Sequence, residues 1–307
     1  MDLDEYEPPG REQTGSHPKV RPRPPATGAT VSPAVPPTQL LRCSIKDGIL
    51  SIDLHHGRAN EMGSEALDDW ETISDFVEAG GARAIITSSN RKSRRGTPLF
   101  IAGADVTERR GWSDAQVKTH VRRQRAVLAR LRRAPAFHVA VVDGVALGWG
   151  TEFLLCCDYR ISGPHARYGL PETGLGILPG AGGTSELWTM VGVAQALRLG
   201  MTGEQIQANE ARRIGLVQEC TDSLDAGLER ALALATMVAR KSPTAVAAFK
   251  AGVLDSVGQP AIGRAELEAR AYEHCVDTGE AAIGRTAFKQ ILAGAHADWG
   301  PLRRKLP

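Results

Sequence analysis

From Leu41 onward the chain is a series of short apolar runs, each about the length of one strand and each closed by a turn signal, a glycine or a single helical stretch. This constrains the fold more than any other feature. LLRCSI and GILSIDLH alternate apolar and polar residues on either side of Asp47-Gly48 and predict a β-hairpin. Ser64 is expected to cap a helix through Ala79 that gathers Leu67, Trp70, Ile73, Phe76 and Val77 on one side. RAIITSS, LFIAGAD and HVAVVDG read as buried strands, with a helix over Asp114 to Arg133 before the last of them. Strand, strand, helix, strand begins a repeated ββα unit. Beyond Gly183 helical patterns dominate, with a short strand expected at Leu216 and Val217. The expected class is α/β, a sheet-rich core followed by a helical C-terminal part.

The expected organisation is a proline-rich, disordered tail over residues 1–38, a ββα core carrying the active site over 39–200, and a helical oligomerisation part over 201–307. A chain of 307 residues can bury a large core. A net charge of +2 is too small to imply nucleic acid by itself. Five cysteines, an odd number with no CxxC, fit reduced thiols in a cytoplasmic protein, and no metal site is expected. The N-terminus is acidic with no apolar core of a signal peptide, and no run approaches the roughly 18 apolar residues of a membrane span.

Function is concentrated in GVALGWGTEFLLCCDYRISGPHARYGLPETGLGILPGAGGT. Its glutamates, Glu152 and Glu172, lie on separate elements. A carboxylate pair can hold a water, remove a proton with one member and deliver one with the other, which points to water addition at an activated double bond. GLGILPG misses the dinucleotide spacing, and neither a Walker A sequence, a GxSxG elbow nor HExxH occurs. In LFIAGADVTE, small residues follow an apolar strand and leave backbone N–H groups open to a close ligand. DGVALGWGTEF does the same and then starts a helix, whose first N–H groups lack partners. Two such donors on one carbonyl oxygen form an oxyanion hole.

Together these segments resemble the crotonase superfamily, and within it the enoyl-CoA hydratase/isomerase group, over roughly residues 40 to 295. LFIAGADVTE is similar to F-x-A-G-A-D, GVALGWGTEF to G-x-A-x-G-G-G-x-E, and YGLPETGLGILPGAGGT to F-x-x-P-E-x-x-x-G-x-x-P-G-x-G-G-T. The resemblance implies the crotonase (ClpP-like) fold, oxyanion donors at Ala102 and Trp149, and catalytic carboxylates at Glu152, as the base, and Glu172, as the acid. It implies coenzyme A contacts at Arg58, within HHGRANEM, and at Ala102, Gly103, Ala104 and Asp105. It further implies an acyl-CoA or acyl-carrier-protein thioester as substrate, no cofactor beyond the coenzyme A of that substrate, and a homotrimer or dimer of trimers. Isomerisation or decarboxylation of a biosynthetic thioester is the alternative chemistry.

Two features depart from this picture. The family usually has glycine where this chain has Trp149, and an indole facing the pocket would reshape the acyl channel. QVKTHVRRQRAVLARLRRA crowds arginines around an apolar stripe, so a non-catalytic RNA-binding or scaffold protein on the same fold is the rival reading. Gly180 to Gly183 is expected to connect elements rather than to serve the site.

Overall fold

The computed structural model describes residues 34–303, so the first 33 residues of the expected tail lie outside it. Strands β1 (Leu41–Lys46) and β2 (Ile49–Leu54) form the expected hairpin, with Asp47 at φ 53° and Gly48 at φ 76°. Two consecutive left-handed residues match the right-handed twist of the strands they join. β3 (Ala84–Ser88), β4 (Leu99–Ile101), β5 (Phe137–Val142), β6 (Val145–Leu147), β7 (Tyr159–Ser162), β8 (Arg167–Gly169), β9 (Ile206–Gln207) and β10 (Glu219–Cys220) follow. They assemble into a six-stranded sheet, β1-β2-β3-β5-β7-β10, and a four-stranded sheet, β4-β6-β8-β9.

The helices are α1 (Ser64–Glu78), α2 (Asp114–Arg133), α3 (Trp149–Leu154), α4 (Leu187–Val191), α5 (Val193–Thr202), α6 (Ala208–Arg213), α7 (Leu224–Ala239), α8 (Pro243–Ser256), α9 (Ala261–Asp277), α10 (Glu280–Thr286) and α11 (Phe288–Leu292). The central strands β3 and β5 are mostly apolar because both faces of their sheet are covered. Leu50, Ile52, Leu54, Ile85, Ala140 and Val142 face the main core with Trp70 and Phe153, whereas Ile49, Ile86, Val139 and Val141 face α7. α7 approaches closely through Ala231, Ala235 and Gly227, and a Cβ on Gly227 would lie 2.7 Å from Val141 Cγ1.

Several expectations change. Ser64 is the first residue of α1 rather than its cap, because its hydroxyl is bonded to Glu108. The full capping box lies on α2, where Ser113 and Gln116 satisfy each other. The expected strand at Leu216 and Val217 is a turn: both N–H groups donate to the Ala211 carbonyl at the end of α6, and pairing begins at Glu219. The part beyond residue 200 is mostly helical, as expected, and it also adds β9 and β10 to the two sheets and α7 to their cover. Contact with the core already begins at Val35, and Asp69 takes the N–H groups of Gln39, Leu40 and Leu41 as the chain enters β1.

Among the described residues no helix is long and apolar enough to cross a membrane.

Candidate active site

β4 and β6 run parallel, with Ile101 opposite Ala146, so the residues leaving the two strands emerge side by side. Asn60, fully buried at φ 54°, holds the turn beside them. Its side chain accepts from the His56 N–H at 2.9 Å and donates to the Phe100 carbonyl at 2.7 Å and to Ser89. Sequence reasoning passed over this residue, although it stands within HHGRANEM. Arg58 lies on the same turn, exposed to solvent.

The turn corrects one assignment. The Ala102 N–H donates to the Ala59 carbonyl at 3.1 Å and so is spent on holding the Arg58 turn. Two residues on, Met62 bridges Ala104 by accepting from Asp105 N–H at 3.0 Å and donating to Gly103 O at 2.9 Å. Such a bridge uses the groups flanking Ala104 and turns the N–H of Ala104 itself to the opposite side. Among the described residues that N–H has no acceptor, so Ala104 replaces Ala102 as the candidate oxyanion donor. Asp105 serves its own turn: Oδ1 accepts from the Thr107 hydroxyl and from the N–H groups of Thr107 and Glu108. The Thr107 hydroxyl leads in holding this carboxyl below its ordinary range.

Trp149 begins α3, where a first-turn N–H has no partner within the helix. Gly148, at φ 53° and ψ −121°, makes the turn into this helix, and its carbonyl accepts from Thr151 and Glu152. A Cβ on Gly148 would lie 2.6 Å from Glu172 Oε1 and 3.8 Å from Gly103 Cα. The glycine is therefore where the two strand exits and the second glutamate converge. The indole of Trp149 does not enter a pocket. It is 2% exposed and packs in the main core, its ring centre 5.7 Å from that of Phe153, so the expected reshaping of the acyl channel falls away.

Glu152 is buried on α3, and its Oε1 accepts from the N–H of Ala181 at 2.7 Å and of Gly183 at 2.9 Å. The Gly180 to Gly183 loop is thus a carboxylate holder rather than a connector. This was hidden in the sequence because glycine runs look alike whether they turn a chain or expose amides. Burial pushes the Glu152 carboxyl up to about 7, and the Glu172 charge adds to this, while the two amides and Arg125 oppose it. Glu172 sits on a single 3₁₀ turn, Pro171–Leu175, with its carboxyl raised by burial and Oε2 buried without a hydrogen-bond partner. Two raised carboxyls facing one region can share a proton, so their titration belongs to the pair.

The basic helix is largely neutralised by its neighbours. Arg123 pairs with Asp68 and Glu71, Arg130 with Asp75 and Glu78, Arg132 with Glu186 and Arg133 with Asp255. The acids of α1 are spaced to meet Arg123 and Arg130, so much of the basic face serves helix packing. One group of possible metal donors occurs among the described residues: buried His138, Cys156 and Cys157. Burial holds the Cys157 thiol well above its ordinary range, and Thr87 already occupies His138 Nε2 at 2.8 Å. A metal needs thiolates, so this group as built suits core packing.

The family model described as enoyl-CoA hydratase/isomerase matches residues 44–296. A probable mitochondrial enoyl-CoA hydratase 2 from Arabidopsis thaliana is 36% identical over 245 residues, 79% of each chain. A 2,3-dehydroadipyl-CoA hydratase from Escherichia coli is 43% identical over 197 residues, 64% of this chain and 69% of its own. The solved enoyl-CoA hydratase of Bacillus anthracis superposes with a TM-score of 0.77 at 31% identity, covering 85% of this chain and 99% of that one.

Proposed function

Because the chain belongs to the enoyl-CoA hydratase/isomerase family, we propose that it adds water to, or removes it from, the double bond of a 2-enoyl thioester. The observation that carries this reading is a pair of pKa-raised glutamates, Glu172 with Oε1 against the turn at Gly148 and Glu152 on the helix which that turn opens, near enough for the Glu172 charge to raise Glu152. The thioester carbonyl would lie between the N–H groups of Ala104 and Trp149, which stabilise the charge that develops on oxygen as Cβ is attacked. In preorganised sites such donors are each worth roughly 2.7–4 kcal/mol.

Glu152 acts as the base. Its Oε1 is fixed by two amides that favour the carboxylate, and a value near 7 suits proton removal at neutral pH. Glu172, whose Oε2 has no donor, is the better holder of a proton and delivers it to Cα. The retention of both carboxylates favours hydration over isomerisation or decarboxylation, which need only one proton-transfer group. Arg58 contacts coenzyme A from its exposed turn beside the strand exits.

The carrier is free coenzyme A, as in the names of the relatives, and a carrier protein is the alternative. Those names differ on the acyl chain, which leaves the tail to be read from the site. The working form is a homotrimer or dimer of trimers, supported by apolar side chains that α8 and α9 leave exposed. All five cysteines are free, which fits a reducing compartment such as the cytoplasm. The test is a panel of 2-enoyl-CoA and 3-hydroxyacyl-CoA thioesters followed by mass. A gain or loss of about 18 Da, the mass of water, is expected of this chemistry. Decarboxylation or thioester hydrolysis without any such change overturns the reading.

A further inference from the structure

Glu152 also lines a cavity of about 390 Å³ whose wall does not include Gly148, Ala104 or Trp149. Leu128, Leu155 and Ala181 line it together with Arg125, Arg132 and Arg133 of α2 and with Glu186. The inference rests on the proposed hydratase chemistry in one respect: Glu152 faces Cβ and also lines this cavity, which offers the carbons beyond Cβ a place. Three arginines are an unexpected lining for that space. A plain hydrocarbon tail laid against a guanidinium strips water from it and offers nothing in return.

The three are not equivalent. Arg132 is paired with Glu186 and Arg133 with Asp255. Arg125 spends only Nε, which donates to the Gly180 carbonyl at 2.8 Å. Among the described residues its two Nη groups have no carboxylate partner. The one bond that Arg125 makes ties it to the loop whose Ala181 and Gly183 amides hold Glu152, so the guanidinium stands at a set distance from the reacting carboxylate. A guanidinium fixed through Nε and open at both Nη atoms suits bidentate binding of a carboxylate.

We propose that the substrate is an ω-carboxyacyl thioester, a chain bearing an acid at the end remote from the thioester, and that Arg125 binds this acid. Leu128, Leu155 and Ala181 take the intervening methylenes, and Arg125 takes the charged end. No bond is made or broken there; the contact selects the substrate and fixes how far it enters.

The experiment compares trans-2-hexenoyl-CoA with the same six-carbon chain ending in a carboxylate. The wild type is expected to show a kcat/KM for the carboxylated chain at least tenfold higher, since a hydrogen-bonded charge pair contributes about ten- to a hundredfold. Arg125→Met is expected to abolish that ratio, and Arg125→Lys to restore part of it. If the wild type uses both substrates equally, or Arg125→Met lowers both to the same extent, the proposal is overturned while the hydratase reading stands. Should neither substrate gain water, that reading fails, and binding decides the proposal separately. Calorimetry of the saturated six-carbon thioesters with and without the terminal acid should then show tighter binding of the acid by the wild type and no difference in Arg125→Met. Equal binding by the wild type contradicts it.

Discussion

Glu152 carries a cost that makes the site visible in stability as well as in activity. Burial pushes its carboxyl up to about 7 in the fold, against 4.5 in a free side chain. The folded state therefore holds more proton than the unfolded one between those values, and stability falls as pH rises through that window. Over the full shift this amounts to about 3 kcal/mol. Glu152→Gln removes the ionisation while keeping an oxygen for the Ala181 and Gly183 amides. Denaturant unfolding is expected to find the variant more stable than the wild type at pH 8, with the difference vanishing near pH 4. A variant less stable at pH 8 contradicts this.

The same residue shows what sequence could and could not reveal at this scale. Glu152 and Glu172 were legible because a carboxylate pair is a side-chain feature. Choosing between Ala102 and Ala104 was not possible from sequence, because the choice depends on whether Ala59 and Met62, more than forty residues earlier, claim the neighbouring amides.

Elements were legible in proportion to their length. The hairpin, α1, α2 and the buried strands β3 and β5 each offer several residues of one period, and their bounds fall close to those expected. β9 and β10 have two residues each, too few for any period, and exist only because β8 and β7 offer an open edge. The arginines of α2 were visible, but the acids that meet them stand on α1, on α8 and just before α4. α8 and α9 present the opposite case, an apolar face with nothing on it. Phe249 is 74% exposed and Tyr272 72%, more than an isolated helical pair should leave in water. Phe249→Glu is expected to shift sedimentation from a trimer or hexamer toward a smaller species. A wild type that sediments as a monomer contradicts the assembly.

At the scale of the molecule, the neighbouring strands β4 and β6 of the four-stranded sheet deliver backbone donors at their ends while α3 and the 3₁₀ turn at Pro171–Leu175 deliver carboxylates. The order of strands and helices was readable; the convergence of four segments at Gly148 was not, since it is a product of pairing between distant strands. The central claim is that the two glutamates together move the protons of water addition. Its most direct test is kcat for hydration of the preferred 2-enoyl-CoA by the wild type, Glu152→Gln and Glu172→Gln, each shown folded by circular dichroism. Positioned proton transfer contributes roughly 10²–10⁴-fold, and each variant is expected to lose about that much. Wild-type turnover retained by either folded variant would contradict the account.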